Sequence, residues 1–476
     1  MKKIALMTWH HVRHYGTLYQ GYALYQTIKS LGYDVDVINY SRMESKLINK
    51  KDLFSYLISV VKSLKKTYEF DGKVFDNFSN KYFTYTDKCI FRQDFESLNN
   101  LYGCFICGSD QIWNPRWYDP HYFLDFVYDS RKKFSYAPSV GVSSFMDYDA
   151  SSDIKVNLEK FEYISVRERQ GVNAVNEILN ENKAKTVLDP VFLLKKKEWI
   201  NLSSKINIKE KDYALVFFLK NNSENLKKCI KYSKDINLHP IVYHCMQSED
   251  NKYSNINIVS PEELLSLIEG AKYIFTDSYH IMALSLIFEK QFSVFSKFKK
   301  YENISENSRI IDLLEKLNIH LNLNELNNNV IDYSLVNVRL EELRSDSFSF
   351  LKDSLNEIVS SKVSMTTIQI CESENFDNTC NCEYPIEFKN YLKENYKYLS
   401  FINKHIIPFG FCFEEKCYGC KKNIKLVGGN YIRKPTFYAN LKNDYLNNRN
   451  IYLIYLEYFF VYDLIHNIKK LIKRFR

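Results

Sequence analysis

Glycine and proline are scarce in this chain, with 13 and nine residues among 476. Average usage is about 7% and 5%, so collagen-like repeats and long Gly- or Pro-rich linkers are excluded. No run of 18 apolar residues is present, which argues against a conventional transmembrane helix. The 11 cysteines are odd in number, and the opening residues form a short strand-like segment rather than a secretory signal. We therefore expect a reduced, cytoplasmic protein.

The composition is that of a folded protein, with 45% hydrophobic and 16% aromatic residues. The 65 basic and 57 acidic residues leave a formal net charge of +8, and five basic residues lie within the final eight. A nucleic-acid binder would more often carry a basic stripe interleaved with aromatics on a recognisable module. The sequence contains none, so nucleic acid is not an expected partner.

Short apolar runs alternate with segments of helical periodicity through the first 350 residues. This alternation predicts an α/β fold of two doubly wound, Rossmann-like domains built on parallel sheets. The predicted strands are 4–8, 35–38, 104–107, 133–136, 163–166, 186–188, 214–219, 240–243, 256–259, 273–276 and 291–295.

The expected domains are a first Rossmann-like domain over 1–205, a second over 206–350 and a Cys-containing, aromatic C-terminal extension over 351–476. A Lys-rich pause from 195 to 211 marks the first boundary. An amphipathic, basic segment at about 45–78 interrupts the first domain and is interpreted as a helical insertion.

The segment 108–114 follows a buried strand, so its polar side chains should lie at the carboxyl edge of the sheet. Asp110 is a candidate base for a sugar hydroxyl, and Trp113 is a candidate platform for a sugar ring. The alternative is an Asx turn that caps the next helix, with Trp113 in the core. The other candidate binding residues here are Gly108, Ser109, Gln111 and Asn114.

A second candidate site follows the strand at 273–276, where Ser278, Tyr279 and His280 precede a helix. A helix N-terminus with a hydroxyl and an imidazole can hold an anion, because its free amides and its dipole point at the charge. His280 could also donate a proton near neutral pH. The alternative is a histidine that merely caps the helix.

Two arginines follow another strand, Arg167 and Arg169, which flank Glu168. Arginine binds carboxylate and phosphate through paired hydrogen bonds, although a surface ion pair is the alternative. Asn307 and Arg309 lie in a polar loop that could complete an anion site.

Taken in order, these segments resemble the polysaccharide pyruvyl transferase family over about residues 1–350. The segments are 15–24 (YGTLYQGYAL), 108–114 (GSDQIWN), 165–169 (SVRER), 188–193 (LDPVFL), 276–280 (TDSYH) and 307–310 (NSRI). Two positions depart from the family pattern. His14 stands where Asn is common, and Ser278 stands where many members carry an Arg two residues before the His, which removes a cation expected near the donor.

The resemblance implies a glycosyltransferase-B-like fold that needs no cofactor and transfers pyruvate from phosphoenolpyruvate to a glycan as a ketal. The acceptor would be a surface polysaccharide or a lipid-linked precursor. His280 is assigned to donor binding and acid catalysis, Asp110 to hydroxyl activation and Arg167 to the catalytic anion site. Tyr15, Gly16 and Gln20 join the substrate-binding candidates. The alternatives are a nucleotide-sugar glycosyltransferase and a non-catalytic glycan-binding relative.

The C-terminal extension carries two further features. The pair Cys417 and Cys420, with Cys412 nearby, has a spacing that suits zinc or an iron–sulfur cluster, although buried reduced thiols are the alternative. The apolar, aromatic segment 451–468 precedes the basic end and contains Asp463. It is expected to lie on an anionic membrane, at its inner face, or to pack on another domain.

Overall fold

A computed structural model describes residues 3–40, 73–89, 92–220, 223–244, 256, 259–296, 304–360, 411–416 and 423–428. The chain divides into two compact units, Met1–Lys362 and Val363–Arg476. The first unit contains two parallel sheets, which with their helices are called the first and second lobes.

The first lobe is built on a seven-stranded parallel sheet. Its strands are β1 (Ile4–Met7), β2 (Val35–Tyr40), β3 (Tyr85–Cys89), β4 (Cys104–Cys107), β5 (Lys133–Ser135), β6 (Tyr163–Val166) and β7 (Ala184–Thr186). They pair in the order β3-β2-β1-β4-β5-β6-β7. The chain therefore reverses its direction across the sheet between β1 and β4, and open α/β sheets bind ligands at such a point.

In the described part of the first lobe, six helices accompany this sheet. They are α1 (Tyr15–Ser30), α2 (Lys73–Tyr82), α3 (Arg92–Leu101), α4 (Ser151–Leu158), α5 (Arg169–Leu179) and α6 (Lys196–Leu202). Successive residues of a strand point to opposite faces, so Ile4 and Leu6 enter one core while Ala5 and Met7 enter another. Burial on both faces explains why these strands read as continuous apolar runs.

The second lobe has a four-stranded parallel sheet in the order β11-β10-β8-β9. Its strands are β8 (Tyr213–Phe218), β9 (His239–His244), β10 (Tyr273–Thr276) and β11 (Gln291–Val294). Its helices are α7 (Ser223–Asp235), α8 (Pro261–Gly270), α9 (Tyr279–Ile287), α10 (Ile304–Lys316) and α11 (Tyr333–Ser360). The capping box that the sequence indicates at Ser260 and Glu263 is present at the start of α8. The predicted fold class of two doubly wound lobes is confirmed.

The two lobes are joined through α1, whose tyrosines reach the second lobe. The hydroxyl of Tyr15 donates to the carbonyl oxygen of Val259 at 2.6 Å and lies 2.5 Å from the Tyr243 hydroxyl. The Tyr19 hydroxyl donates to the Pro261 carbonyl oxygen at 2.7 Å. Because α1 is covered by both lobes, 12 of its residues are buried.

The last helix of the second lobe returns to the first. The Ser347 hydroxyl, in the middle of α11, accepts a hydrogen bond from the backbone N–H of Leu188 at 2.9 Å. Nearer its end, Asn356 accepts a hydrogen bond from Tyr33 at 2.7 Å. The helix therefore adds a second connection between the two lobes.

Two details differ from the sequence-based expectations. Ile256 and Val259, the described ends of the strand predicted at 256–259, are not in a strand; the Val259 carbonyl accepts its bond from Tyr15 instead of a ladder partner. Strand β3 was not predicted, because its charged Asp87 and Lys88 face outward at the sheet edge. Of the insertion expected at about 45–78, only 73–78 are described, and they begin α2.

The second unit is described only as an antiparallel pair, β12 (Phe411–Lys416) and β13 (Asn423–Gly428). The remainder of the extension, including the segment 451–468, lies outside the described residues. Within the described part of the chain, no helix combines the length and apolar character that crossing a bilayer requires.

Candidate active site

Charged side chains converge where strand ends of the two lobes meet. Asp110 follows β4, Arg167 and Glu168 follow β6, and Asp189 lies beyond β7. His280 comes from the first turn of α9, directly after β10 of the second lobe. These five residues are called the ionic cluster; each is at most 8% exposed.

Asp189 lies at the centre of the ionic cluster. Its Oδ2 accepts a hydrogen bond from Arg167 Nη1 at 2.6 Å and lies 3.3 Å from His280 Nε2. Its Oδ1 accepts the backbone N–H of Val191 at 3.0 Å. Since Asp189 is fully buried, its charge is compensated by the Arg167 guanidinium and a backbone N–H rather than by water.

Asp110 is held by the first turn of α1 and by its own loop. Its Oδ2 accepts from the Thr17 hydroxyl at 2.7 Å, and its Oδ1 lies 4.0 Å from Arg167 Nη2. The backbone at Asp110 has φ of 65°, in the left-handed region. A hydrogen bond from Ser139 N–H to the Asp110 carbonyl at 2.7 Å holds this conformation, which non-glycine residues seldom adopt.

Glu168 belongs to the same cluster but is anchored by backbone. Its Oε1 accepts from the Ser139 hydroxyl at 3.0 Å and from Val140 N–H at 2.9 Å. Its Oε2 lies 3.7 Å from Arg167 Nε. Within the described ionic cluster, this Oε2, the Nε and Nη2 of Arg167 and the Nε2 of His280 are buried without a hydrogen-bond partner. The unpaired N–H groups of a buried guanidinium can donate hydrogen bonds to the oxygens of a bound anion.

The charges of the cluster control its protonation. Burial by itself would raise the pKa of Asp110, but the positive charges of His280, Arg167 and His14 outweigh it and hold this pKa well below its usual range. The pKa of Asp189 is lowered in the same way, because His280 and Arg167 outweigh its burial. Burial would lower the pKa of Arg167, yet Asp189 and its other anionic neighbours raise it. Both carboxylates therefore stay ionised at neutral pH.

The free energy of unfolding is expected to fall when the pH drops below about 4. Unfolded aspartates have a pKa near 3.9, whereas those of folded Asp110 and Asp189 are lowered, so the unfolded state binds protons first. The stabilisation is complete above the unfolded pKa and is lost by up to about 1.4 kcal/mol per pH unit and per carboxylate below it. Urea unfolding between pH 5 and pH 2 measures this slope, which Asp110→Asn should reduce. An unchanged slope in that variant, relative to the exposed control Asp346→Asn, would contradict the assignment.

Tyr279, the first residue of α9, lies near two guanidinium groups. The Cζ atoms of Arg167 and Arg309 lie 4.6 Å and 5.8 Å from the centre of its ring. Ser278 is the N-cap of α9, its hydroxyl accepting from Ile281 N–H at 3.5 Å. The cation that the family commonly carries at position 278 is absent, but Arg167 and Arg309 place two positive charges at the same helix N-terminus.

The two arginines predicted after β6 have different environments. Arg167 is buried among three carboxylates, whereas the Arg169 side chain is 62% exposed and pairs with Asp312 at 3.6 Å on the surface. Arg169 therefore does not reach the cluster, because it is already the first residue of α5 and turns outward. The sequence could not separate the two.

Replacing these arginines should give very different results. Arg167→Ala leaves buried carboxylates without their cation and is expected to lower the free energy of unfolding by about 3–5 kcal/mol. It should also abolish turnover. Arg169→Ala removes an exposed pair worth about 0–1 kcal/mol and should leave both nearly unchanged. Arg167→Lys keeps the charge and separates loss of folding from loss of function. Urea unfolding and steady-state kinetics on the three variants test this, and equal effects of the two Ala variants would refute it.

The residues of the opening motif, 14–20, support the ionic cluster from behind and hold its side chains in place. Gly16 packs directly against the His280 imidazole: a Cβ at this position would lie 2.6 Å from His280 Cγ and closer still to Nδ1. Gln20 is buried and accepts the Ser109 N–H at 2.8 Å. Tyr15 joins the lobes, as described above. His14 caps α1, since its Nδ1 accepts Thr17 N–H at 3.3 Å, and so performs the capping role of the usual Asn.

The loop after β4 is held in place by its backbone and amide groups. Gly108 has φ of 144° and leaves no room for a side chain beside the Tyr136 carbonyl. The Ser109 hydroxyl donates to the Ala137 carbonyl at 2.6 Å. Asn114 caps a short 3-10 turn through Arg116 N–H. With its amide oxygen turned toward Arg309, Gln111 accepts from Nη2 at 3.1 Å.

Trp113 lies in the core and not at the edge of the cluster. It is fully buried, its ring stacks on Phe123 with centroids 5.2 Å apart, and its Nε1 donates to the Tyr122 carbonyl at 3.1 Å. This is the core position that was the alternative to a sugar platform. The side chain turns inward because residues 111–114 form a turn immediately after Asp110.

Some predicted residues fall outside what the structure describes. Asn307 lies in α10, but its side chain is not among those described, and neither is that of Cys412 in β12. Cys417 and Cys420 lie outside the described residues altogether. No group of three or more metal-binding side chains occurs within the part that is described.

Three residues of the site were not assigned from the sequence. Asp189 and Glu168 were noticed only as parts of motifs, and Thr17 as part of the opening segment. A usable signal existed for Asp189, which is an acid placed between apolar residues at a strand end. Thr17 had no such signal, because only folding brings it to Asp110.

Comparison with solved structures finds proteins of low sequence identity. UDP-GlcNAc 2-epimerase from Neisseria meningitidis, bound to UDP-GlcNAc, is 9% identical with a TM-score of 0.42 and covers 75% of this chain and 99% of its own. UDP-GlcNAc 2-epimerase from Methanocaldococcus jannaschii is 13% identical with a TM-score of 0.37, covering 72% and 92%. The wall teichoic acid polymerase TagF is 9% identical with a TM-score of 0.36, covering 75% and 84%.

Among curated protein sequences there is no significant match. The sequence profile of the polysaccharide pyruvyl transferase family matches residues 14–296, a range that includes Asp110, Arg167, Asp189 and His280. Since this match spans more than half of the 476 residues, the chain belongs to the polysaccharide pyruvyl transferase family.

Proposed function

We propose that this protein transfers pyruvate from phosphoenolpyruvate to two hydroxyls of a glycan, forming a cyclic ketal and releasing phosphate. The observation that carries the proposal is the convergence of Arg167, Arg309 and His280 on the N-terminus of α9. Phosphoenolpyruvate has a carboxylate and a phosphate close together, and two guanidinium groups beside a helix N-terminus are suited to such an anion.

The reaction needs an acid and a base. In the first step the oxygen of a sugar hydroxyl bonds to C2 of the donor, its proton passes to the base, and the methylene carbon C3 gains a proton to become a methyl group. In the second step another hydroxyl oxygen bonds to C2 and loses its proton while the C2–O bond to phosphate breaks. Phosphate leaves with the bonding electrons, and the ketal remains.

His280 is the proposed acid. Asp189, 3.3 Å from its Nε2, orients the ring and stabilises the imidazolium form, as a carboxylate does for a catalytic histidine. The other ring nitrogen, Nδ1, packs against Gly16 of α1, so the helix fixes the position of the imidazole.

Asp110 is the proposed base, and its protonation is coupled to that of His280. The His280 charge is the foremost positive charge lowering the pKa of Asp110. When His280 gives up its proton, this influence disappears and Asp110 becomes a stronger base in the same step. The negative charge of a bound donor beside Arg167 acts in the same direction.

Ligand-dependent stability tests the donor. Phosphoenolpyruvate should raise the melting temperature with increasing concentration, because it binds only the folded state; at 100 times its Kd the gain is about 2.7 kcal/mol. Inorganic phosphate is the control for a general anion effect, and UDP-sugars represent the competing glycosyltransferase hypothesis. Mass spectrometry of a glycan incubated with protein and phosphoenolpyruvate should then show the pyruvyl increment. A shift with UDP-sugars alone would favour the glycosyltransferase, and no shift with either would favour the non-catalytic glycan-binding relative.

The cellular setting belongs to the same proposal. The acceptor would be a surface polysaccharide or its lipid-linked precursor, modified at the inner face of the membrane. The basic residues at the end of the chain support peripheral attachment to anionic lipid, since each contributes about 1 kcal/mol near such a surface.

A further inference from the structure

Two tryptophans lie together at the carboxyl edge of the first sheet. Trp9 follows β1 by two residues, and Trp117 ends the short 3-10 turn Pro115–Trp117 that follows β4. Strands β1 and β4 are neighbours, with Met7 beside Cys107. The strand order reverses between them, so both indoles lie at the edge where this type of sheet binds ligands.

The indoles form a fixed, tilted pair. Their ring centroids are 6.4 Å apart with planes at 46°, and Trp9 also packs edge-on against Tyr122 at 6.3 Å. The Nε1 of Trp117 donates to the Gln111 carbonyl at 3.0 Å. Anchored aromatic side chains provide contact area at little cost in conformational entropy.

Exposure distinguishes this pair from the other two tryptophans of the chain. Trp113 and Trp199 are fully buried, whereas Trp9 and Trp117 remain partly exposed. The pair is also close to the proposed base: Gln111, which accepts from Trp117, donates its own N–H to Asp110 Oδ1 at 2.9 Å. The Trp117 ring is thus bonded to the residue that follows Asp110.

We propose that Trp9 and Trp117 form the platform on which a pyranose ring of the acceptor lies. The inference rests on the proposed function and assigns the acceptor to pyranosides that present a face of C–H groups. Such a face packs on an indole while the hydroxyls at its rim stay hydrated or reach Asp110. The donor is a small, highly charged anion with no apolar face, so the pair is assigned to the acceptor alone.

Direct binding tests the platform without relying on turnover. Saturation-transfer NMR titrations would use the methyl glycosides of glucose, galactose, mannose and N-acetylglucosamine with wild type, Trp9→Ala and Trp117→Ala. At least one glycoside should bind wild type, and each Ala variant should bind it about tenfold more weakly, which corresponds to loss of one aromatic contact. Tyr128→Ala is the matched control, since Tyr128 is 41% exposed and lies in the segment before β5, whereas the two tryptophans follow the carboxyl ends of their strands.

Phe variants distinguish loss of the aromatic contact from loss of folding. Trp9→Phe and Trp117→Phe retain an aromatic face, so their binding should lie between wild type and Ala at an unchanged melting temperature. In turnover assays the Ala variants should raise the acceptor KM about tenfold and leave the phosphoenolpyruvate KM unchanged.

The outcomes separate the two proposals. Glycoside binding that depends on both tryptophans, with no use of phosphoenolpyruvate, supports the platform and refutes the donor. Pyruvyl transfer with an unchanged acceptor KM in both Ala variants refutes the platform and supports the proposed function. A wild-type protein that binds none of the glycosides also overturns the platform.

Discussion

His280→Gln is expected to reduce pyruvyl transfer by about 10²–10⁴-fold, the usual contribution of a general acid. Glutamine has no proton to donate at neutral pH, but its amide can still contact Asp189, which His280 Nε2 approaches at 3.3 Å. Arg167 remains hydrogen-bonded to the same carboxylate at 2.6 Å, so the buried charge stays paired. The fold should therefore survive while the chemistry fails.

Turnover and melting temperature must be measured together. His320→Gln is the control, because His320 is exposed in the loop after α10 and is not a member of the ionic cluster. A His280→Gln protein that melts normally and retains more than a tenth of wild-type turnover would remove His280 from the role of acid. Loss of donor-induced stabilisation with retained turnover at high donor concentration would restrict it to binding.

Gly16→Ala should also reduce turnover, although it replaces no residue of the ionic cluster. A Cβ at this position would lie 2.6 Å from His280 Cγ and 2.8 Å from His280 Cβ, closer than non-bonded carbons approach. The imidazole must shift by an ångström or more relative to Asp189, and a misplacement of this size can cost about 10²-fold in rate. Overpacking should also cost about 1–3 kcal/mol of stability. Steady-state kinetics and urea unfolding measure the two effects.

Gly21→Ala supplies the matched control in the same helix. A Cβ there would meet its nearest neighbour, Thr8 Cγ2, at 3.6 Å, which is an ordinary contact. Replacing a helical glycine by alanine should be neutral or stabilise the protein by up to about 1 kcal/mol. If Gly16→Ala behaves like Gly21→Ala in turnover, the close packing of α1 on His280 has no role in catalysis.

The alternation of apolar strands and helices was readable from the sequence because strands buried on both faces must be continuously apolar. Ten of the eleven predicted strands correspond to observed strands of the two parallel sheets. Edge strand β3 was missed because it is not buried on both faces. Its Asp87 and Lys88 are exposed and interrupt the apolar run that would identify a strand.

The site was only partly predictable. A polar residue after a buried strand must lie at the carboxyl edge of a parallel sheet, and this rule found Asp110, Arg167 and His280. It could not distinguish Arg167 from Arg169, because the point at which α5 begins decides which side chain turns inward. The same rule predicted that Trp113 would lie at the site, although a turn places its ring in the core. The partly exposed tryptophans are Trp9 and Trp117.

The sequence by itself determined the fold class, the family resemblance and the strand ends that form the candidate site, because these depend on local patterns of burial and polarity. Only the tertiary structure decided which charges face one another. Asp189 and His280 are 91 positions apart in the chain, and their 3.3 Å contact exists because α1 and α11 bring the two lobes together. Pairing across such a separation depends on the packing of whole lobes, which no local pattern in the sequence encodes.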